Sequence, residues 1–196
     1  IKVFIQQGDR NTLYGYKGER FYREETKPNQ NEGSEFQTVL TINQFTLEQY
    51  LEETRKRIAG NLPFEQYKFS DPDNLHEENE KVFNSKEVLN PNELTIFESE
   101  TLEYKNHRGI GPRSCPKFGQ YEKNKEIMIK TICSLLNWKG GCIYLGIHDD
   151  RRIVGYTTEE IGNIKEDLTE CMESIRPTPS QGQNYKMDEV PVTNSE

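Results

Sequence analysis

Three carboxylates and a lysine fall within one eight-residue stretch, Glu98-Ser99-Glu100-Thr101-Leu102-Glu103-Tyr104-Lys105. A second acidic pair, Asp149-Asp150, follows a glycine pair at Gly140-Gly141. Carboxylate oxygens are the donors that hard divalent cations prefer. Such a cation can neutralise a phosphate, activate a nucleophile and steady a leaving oxygen. Glu98, Glu103 and Asp149 are therefore candidate ligands for Mg²⁺ or Mn²⁺ in a phosphodiesterase site. Lys105 follows Glu103 by two, so in a strand both side chains point to one face, and Lys105 can meet a nonbridging phosphate oxygen as a point charge. The spacing of five between Glu98 and Glu103 would put them on opposite faces of a flat strand. A shared cation needs a bend near residues 99–101, or Glu98 in the lead-in loop. The plain alternative is that Glu98, Glu100 and Glu103 are solvated strand residues, that Asp149 and Asp150 are turn residues, and that the glycine pair is a helix stop. On the catalytic reading, Glu103→Ala is expected to abolish metal-dependent cleavage without unfolding the domain, since truncating a surface carboxylate changes stability by only ~0.5 kcal/mol.

A basic segment adjoins these acids. From Lys105 to Lys139 eight basic residues face only Glu122 and Glu126, a local net charge of +6 in a chain of net charge −8. Arg108, Arg113, Lys117 and Lys123 are the candidate RNA contacts, because phosphate backbones are held by such clusters. A solvated loop and helix face is the competing reading. Overall acidity argues against a uniformly basic nucleic-acid binder. No P-loop, dinucleotide fingerprint or nucleophile elbow is present, which removes support for nucleotide hydrolysis and acyl transfer.

The elements that must position these residues are legible in order. Residues 1–45 read as short strands: 2–5, a hairpin of 12–16 and 20–22 around Gly18, and an alternating strand over 36–42. Residues 46–59 read as a helix with a Thr46/Gln49 capping box and Gly60 as its stop, burying Leu47, Tyr50, Leu51, Thr54 and Ile58. Residues 70–93 are polar and acidic and read as a linker or wrapping arm. Residues 94–105 are strand, 122–138 helix, 142–147 a strand buried on both faces, and 149–152 a hairpin tip. A Thr157/Glu160 capping box opens a last helix that Pro177 and Pro179 stop, and 187–192 is a final strand. The organisation expected is 1–69 as a strands-and-helix region, 70–93 as a linker, and 94–196 as the catalytic domain.

With 196 residues, 32% hydrophobic and 30% charged, the chain is polar for a self-contained core. The start at Ile1, without Met, reads as a fragment. No apolar run approaches the ~20 residues needed to span a membrane. The four cysteines, Cys115, Cys133, Cys142 and Cys171, form no C-x-x-C pair. They read as reduced thiols of a cytoplasmic or nuclear protein, with a zinc site at Cys115 and His107 as an alternative.

In order and register, four segments resemble the Schlafen AlbA_2 domain. Residues 98–105 are similar to its E-S-x-x-x-E-F-K segment. Ser134-Leu135-Leu136-Asn137-Trp138-Lys139-Gly140-Gly141 resembles its helix and N-T-x-G-G turn. Cys142 to Asp150 is similar to the G-Y-x-x-I-G-V-D-D strand, and Arg152-Ile153-Val154-Gly155-Tyr156 to the strand after it. Trp138 replaces a small residue, His148 stands where an acid is usual, and the vertebrate members' zinc ligands have no counterpart. The resemblance implies an α+β fold with a mixed sheet flanked by helices. It also implies an endoribonuclease with the acidic triad Glu98, Glu103 and Asp149, acting on tRNA, rRNA or piRNA precursors. The family's groove lies between two lobes and one is visible here, so a second Schlafen-like AlbA_2 chain is the expected partner. A non-catalytic RNA-binding or scaffold subunit, and a DNA-binding regulatory module, are the alternatives.

Overall fold

The structure is a computed structural model that describes residues 1–8, 12–26, 39–59, 98, 101–106, 109–114, 121–148 and 150–192. The fold is α+β, as expected, with three helices and two sheets among these residues.

The strand Lys2–Ile5 (β1) is apolar at Val3 and Ile5, both fully buried. It lies inside a four-stranded sheet, antiparallel both to Gly141–Leu145 (β6) and to Tyr185–Asp188 (β7). Leu102–Lys105 (β5) completes that sheet, parallel to β6, giving the order β5-β6-β1-β7. The division at residue 69 therefore does not separate two sheets. The first strand is drawn into the sheet of the later half because its alternating side chains can be buried on both faces only between neighbours. The last strand, Tyr185–Asp188, starts two residues earlier and ends four earlier than the expected 187–192.

A second sheet has the order β2-β3-β4, from Gly15–Tyr16 (β2), Glu19–Thr26 (β3) and Val39–Gln44 (β4). Lys17 and Gly18, with φ of 50° and 83°, close the β2–β3 hairpin, the backbone that two-residue turns require. Residues 36–38 of the expected strand and the whole 70–93 linker lie outside the described residues.

Helix Leu47–Ile58 (α1) begins at its expected capping box. The N–H of Gln49 donates to Thr46 Oγ1 at 3.2 Å and that of Thr46 to Gln49 Oε1 at 2.9 Å. Its expected buried stripe is not buried: Leu47 is 75% and Leu51 45% exposed, and Tyr50 and Thr54 are half-buried. Periodicity identifies an apolar face but not what lies across it, and no described element covers this one. The Ile58 side chain lies outside the description.

Helix Glu122–Asn137 (α2) buries Met128, Ile129, Ile132, Leu135 and Leu136. Helix Thr158–Glu173 (α3) buries Ile164, Leu168, Cys171 and Met172 behind the Thr157/Glu160 capping box. Together with Val3, Ile5, Ile143 and Leu145 they form the main core. A smaller cluster of Leu102, Tyr104, Cys142 and Tyr144 with Ile147 and Ile153 covers the other face.

At the end of α2 the Asn137 side chain accepts from the N–H of Tyr14 at 2.7 Å. It donates to the carbonyls of Tyr14 at 2.8 Å and Phe21 at 2.9 Å. This ties the helix to the β2–β3 hairpin. The glycine pair that follows is a stop and a close approach. A Cβ on Gly141 would lie 2.2 Å from the Thr101 carbonyl, whose oxygen accepts from the Cys142 N–H at 2.7 Å. Only glycine lets β6 start so close to the lead-in of β5.

Candidate active site

Glu103 sits in β5 with only 7% of its surface exposed. Burying a lone carboxylate is costly unless it is paired, and this one is paired twice. Arg23 of β3, 80 residues away in sequence, meets Oε2 at 2.6 Å. Lys105, on the same face of β5 as expected, meets Oε1. Burial opposes the charge on Glu103, but Lys105 and Arg23 outweigh it and hold the carboxyl below the usual range. Glu103 is thus no surface strand residue. The expectation of a cheap surface truncation assumed an exposed carboxylate, whereas this one is buried against the Arg23 guanidinium.

Glu98 lies outside β5, in the segment that leads into it. Its Oε1 accepts from the N–H of Tyr104 at 2.7 Å. That answers the spacing of five: Glu98 reaches the carboxylate cluster from the lead-in rather than from a face of the strand. Desolvation of its carboxyl, and then the negative charge of Glu103, raise its pKa, while Lys105 and Arg23 pull it back. Glu98, Glu103, Lys105 and Arg23 therefore share one electrostatic neighbourhood.

Asp149 lies outside the described residues. Its neighbours form the expected hairpin tip: Ile147 bridges Ile153, and the His148 N–H donates to the Arg152 carbonyl at 2.9 Å. Asp150 is a turn residue held by Arg152, through Nε at 2.7 Å and NH2 at 2.6 Å. The Arg152 hydrogen bond is the main reason its carboxyl falls to about 2. Because β5 and β6 are parallel, with the Gly146 N–H donating to the Lys105 carbonyl at 2.9 Å, β6 leaves the sheet beside Lys105.

The donor chemistry suits a hard divalent cation: two carboxylates close enough for one to raise the pKa of the other. Mg²⁺ or Mn²⁺ would need one Glu103 oxygen, and Lys105 is the partner able to yield it, a flexible side chain rather than a rigid fork. Among the described residues no group of three His, Cys, Asp or Glu side chains gathers as a metal site.

The basic segment is less free than its charge suggests. Arg113 is committed to α3, pairing with Glu166 at 2.8 Å, with Asp167 at 3.5 Å and with Glu170. Lys125 lies 3.7 Å from Glu170 and Lys130 2.7 Å from Glu126. Arg113 thus fastens its loop to α3, with 42% of its side chain still exposed. Lys123 is exposed on the first turn of α2. Arg108, Lys117, His107 and Cys115 lie outside the described residues. Cys133, Cys142 and Cys171 are free and buried, as expected for reduced thiols.

Two residues escaped the sequence reading. Arg23 carried no signal because its partner is 80 positions away. Asp167 lies on the buried side of the amphipathic helix α3 with no exposed surface, and a charge at a core position was the mark that could have found it.

A family model for the Schlafen AlbA_2 domain matches residues 98–195. The chain belongs to that family, and the match contains Glu98, Glu103, Lys105 and the hairpin tip. Membership carries a nucleic-acid-related role, and the domain is associated with nuclease activity in general. No curated protein and no solved structure matches the chain.

Proposed function

We propose that this chain is a metal-dependent endoribonuclease of Schlafen type, or the catalytic subunit of a hetero-oligomeric one. Its substrates would be tRNA or small-RNA precursors such as piRNA precursors. The observation that carries this reading is the buried Glu103 carboxylate, held between Arg23 and Lys105 beside Glu98. Evolution rarely places that much buried charge without a use, and perturbed carboxylates cluster at functional sites.

Glu98, Glu103 and Asp149 would hold Mg²⁺ or Mn²⁺, which supplies Lewis-acid charge and an activated water at the phosphodiester. Lys105, from the same strand face as Glu103, contacts a nonbridging phosphate oxygen and offsets charge as it builds. Arg23 keeps Glu103 ionised. Lys123, with Arg108 and Lys117, engages the RNA backbone away from the scissile bond, which positions without reading sequence. A second AlbA_2 chain of the Schlafen family supplies the other wall of the groove. The buried thiols suit a cytoplasmic or nuclear setting.

The second reading is an RNA-binding or scaffold subunit that does not cleave. Its support is that both oxygens of Glu103 are already taken by cations of the protein itself. One experiment separates the two. End-labelled tRNA and piRNA-precursor transcripts are incubated with Mn²⁺ and the chain, alone and with candidate AlbA_2 partners. Metal-dependent cleavage by wild type that Glu103→Gln abolishes supports the nuclease. Retained RNA binding without cleavage in every combination supports the scaffold.

A further inference from the structure

We infer that Arg23 is a positioning residue of this site. It holds Oε2 of Glu103 permanently and leaves Oε1 as the oxygen that exchanges Lys105 for a divalent cation. The inference rests on the metal-dependent reading above and goes beyond it, since it assigns each oxygen of one carboxylate a different task.

The two cations on Glu103 are not equivalent. The Arg23 side chain is 1% exposed and that of Lys105 16%. Arg23 comes from β3, in the other sheet, and β3 is anchored where the Asn137 side chain donates to the Phe21 carbonyl at 2.9 Å. A guanidinium is a planar, rigid fork that is always charged, whereas an ammonium is a point charge on a flexible stem. Arg23 is buried against Glu103 at 2.6 Å, so its departure would leave a carboxylate oxygen in the interior without its cation, a costly change. Lys105 is the more exposed of the two, and its flexible stem makes it the partner that can swing out. An arriving cation therefore finds Oε2 closed and Oε1 exchangeable, and Glu103 becomes a one-oxygen ligand of fixed orientation.

The exchange also places Lys105 in reserve. In the structure it balances Glu103; were a divalent cation to take Oε1, the same ammonium would be free to meet a phosphate oxygen. Lys105 then competes with the metal for Glu103 while serving the substrate. A merely structural lysine would do neither.

The test measures Mn²⁺ affinity by titration calorimetry without RNA, and kcat and KM for RNA cleavage, on wild type, Arg23→Lys, Arg23→Gln and Lys105→Met. Thermal melts establish that each variant is folded. Arg23→Lys keeps the charge and loses the fork. It should bind Mn²⁺ about 10- to 100-fold more weakly, the usual effect of removing a ligand's support, with kcat lowered and KM for RNA little changed. Lys105→Met should bind Mn²⁺ more tightly than wild type while kcat falls, and it decides the matter where the arginine variants do not fold. Folded Arg23→Lys with wild-type Mn²⁺ affinity and kcat overturns the role of Arg23. Weaker Mn²⁺ binding by Lys105→Met overturns the exchange. Wild type that neither binds Mn²⁺ nor cleaves RNA overturns the nuclease reading itself, an outcome distinct from the other two.

Discussion

Among the described residues two carboxylates are buried, Asp167 and Glu103, and they are satisfied in opposite ways. Asp167 on α3 has no exposed surface. Its Oδ2 accepts from the backbone N–H of Ser114 at 2.7 Å and its Oδ1 from that of Arg113 at 3.4 Å, with the Arg113 side chain added. A Cβ on Gly111 would lie 2.3 Å from its carboxyl carbon, so the loop packs directly on it. Glu103 is 7% exposed, and the partners of its oxygens are both side-chain cations, Arg23 and Lys105. Backbone donors cannot leave without unfolding their loop, whereas side-chain donors can exchange. Asp167 is built as a strut, and Glu103 as a place where one partner can be traded for another.

The contrast can be broken most forcefully at Glu103. Glu103→Ala should lower stability by about 3–5 kcal/mol, because it breaks a buried ion pair by removing the carboxylate that Arg23 meets at 2.6 Å. Urea unfolding measures this, and a loss near ~0.5 kcal/mol, as for a surface site, would remove the case for a buried pair. Asp167→Ala comes next. It frees two loop amides, each worth about 1–3 kcal/mol when left unsatisfied. Whatever fraction stays folded should retain RNA cleavage per folded molecule, unlike Glu103→Gln. A loss of turnover in Asp167→Asn matching that of Glu103→Gln would erase the distinction between strut and site.

A smaller effect sharpens the same contrast at the surface. Arg113 is committed to three carboxylates of α3 while Lys123 is exposed. Lys123→Gln should reduce the salt-dependence slope of RNA binding by roughly 0.7 to 0.9, the yield of one phosphate contact. Arg113→Gln should leave the slope unchanged. Filter binding across a salt series reads both, and equal losses would return Arg113 to the RNA surface.

The smallest expected effect is none at all. Burial raises the thiols of Cys133 and Cys171 from 9.0 to about 12. The neutral form is the one the fold favours, so their contribution is complete below pH 9 and fades as pH climbs toward 12. Iodoacetamide at pH 8 should leave both cysteines unmodified in the native protein, as peptide mass spectrometry would show. Rapid alkylation of either would mean that the helix core opens.

Local signals were the readable ones. The capping boxes at Thr46 and Thr157, the hairpin at Gly18 and the strand at 102–105 depend on neighbours within a few residues, so their causes lie side by side in the sequence. The shared face of Lys105 and Glu103 followed from the two-residue period of a strand, though not their pairing with each other. The position of Glu98 was open between a bend and a lead-in loop, and the Tyr104 amide resolves it. What sequence could not show was anything decided by long-range partners. The stripe on α1 has helical spacing, but spacing does not say whether another element covers it. The local +6 counted charges without their counterions on α3, which lie about 50 positions further on. Arg23 belongs to the same class: an arginine in a strand is unremarkable until Glu103 is placed opposite it.

The place of β1 between β6 and β7 bears on how this protein is made. Residues 2–5 take their sheet partners from residues 141–145 and 185–188. A ribosome delivers the first strand long before either neighbour exists. The sheet beneath the carboxylates must therefore wait for β7 to be synthesised, and contacts of such long range slow folding. Until then Val3 and Ile5, fully buried in the finished molecule, are exposed to whatever else is in reach. During synthesis that strand is a natural client for a chaperone, and the sheet under the acidic site closes only after residues 185–188 have left the tunnel.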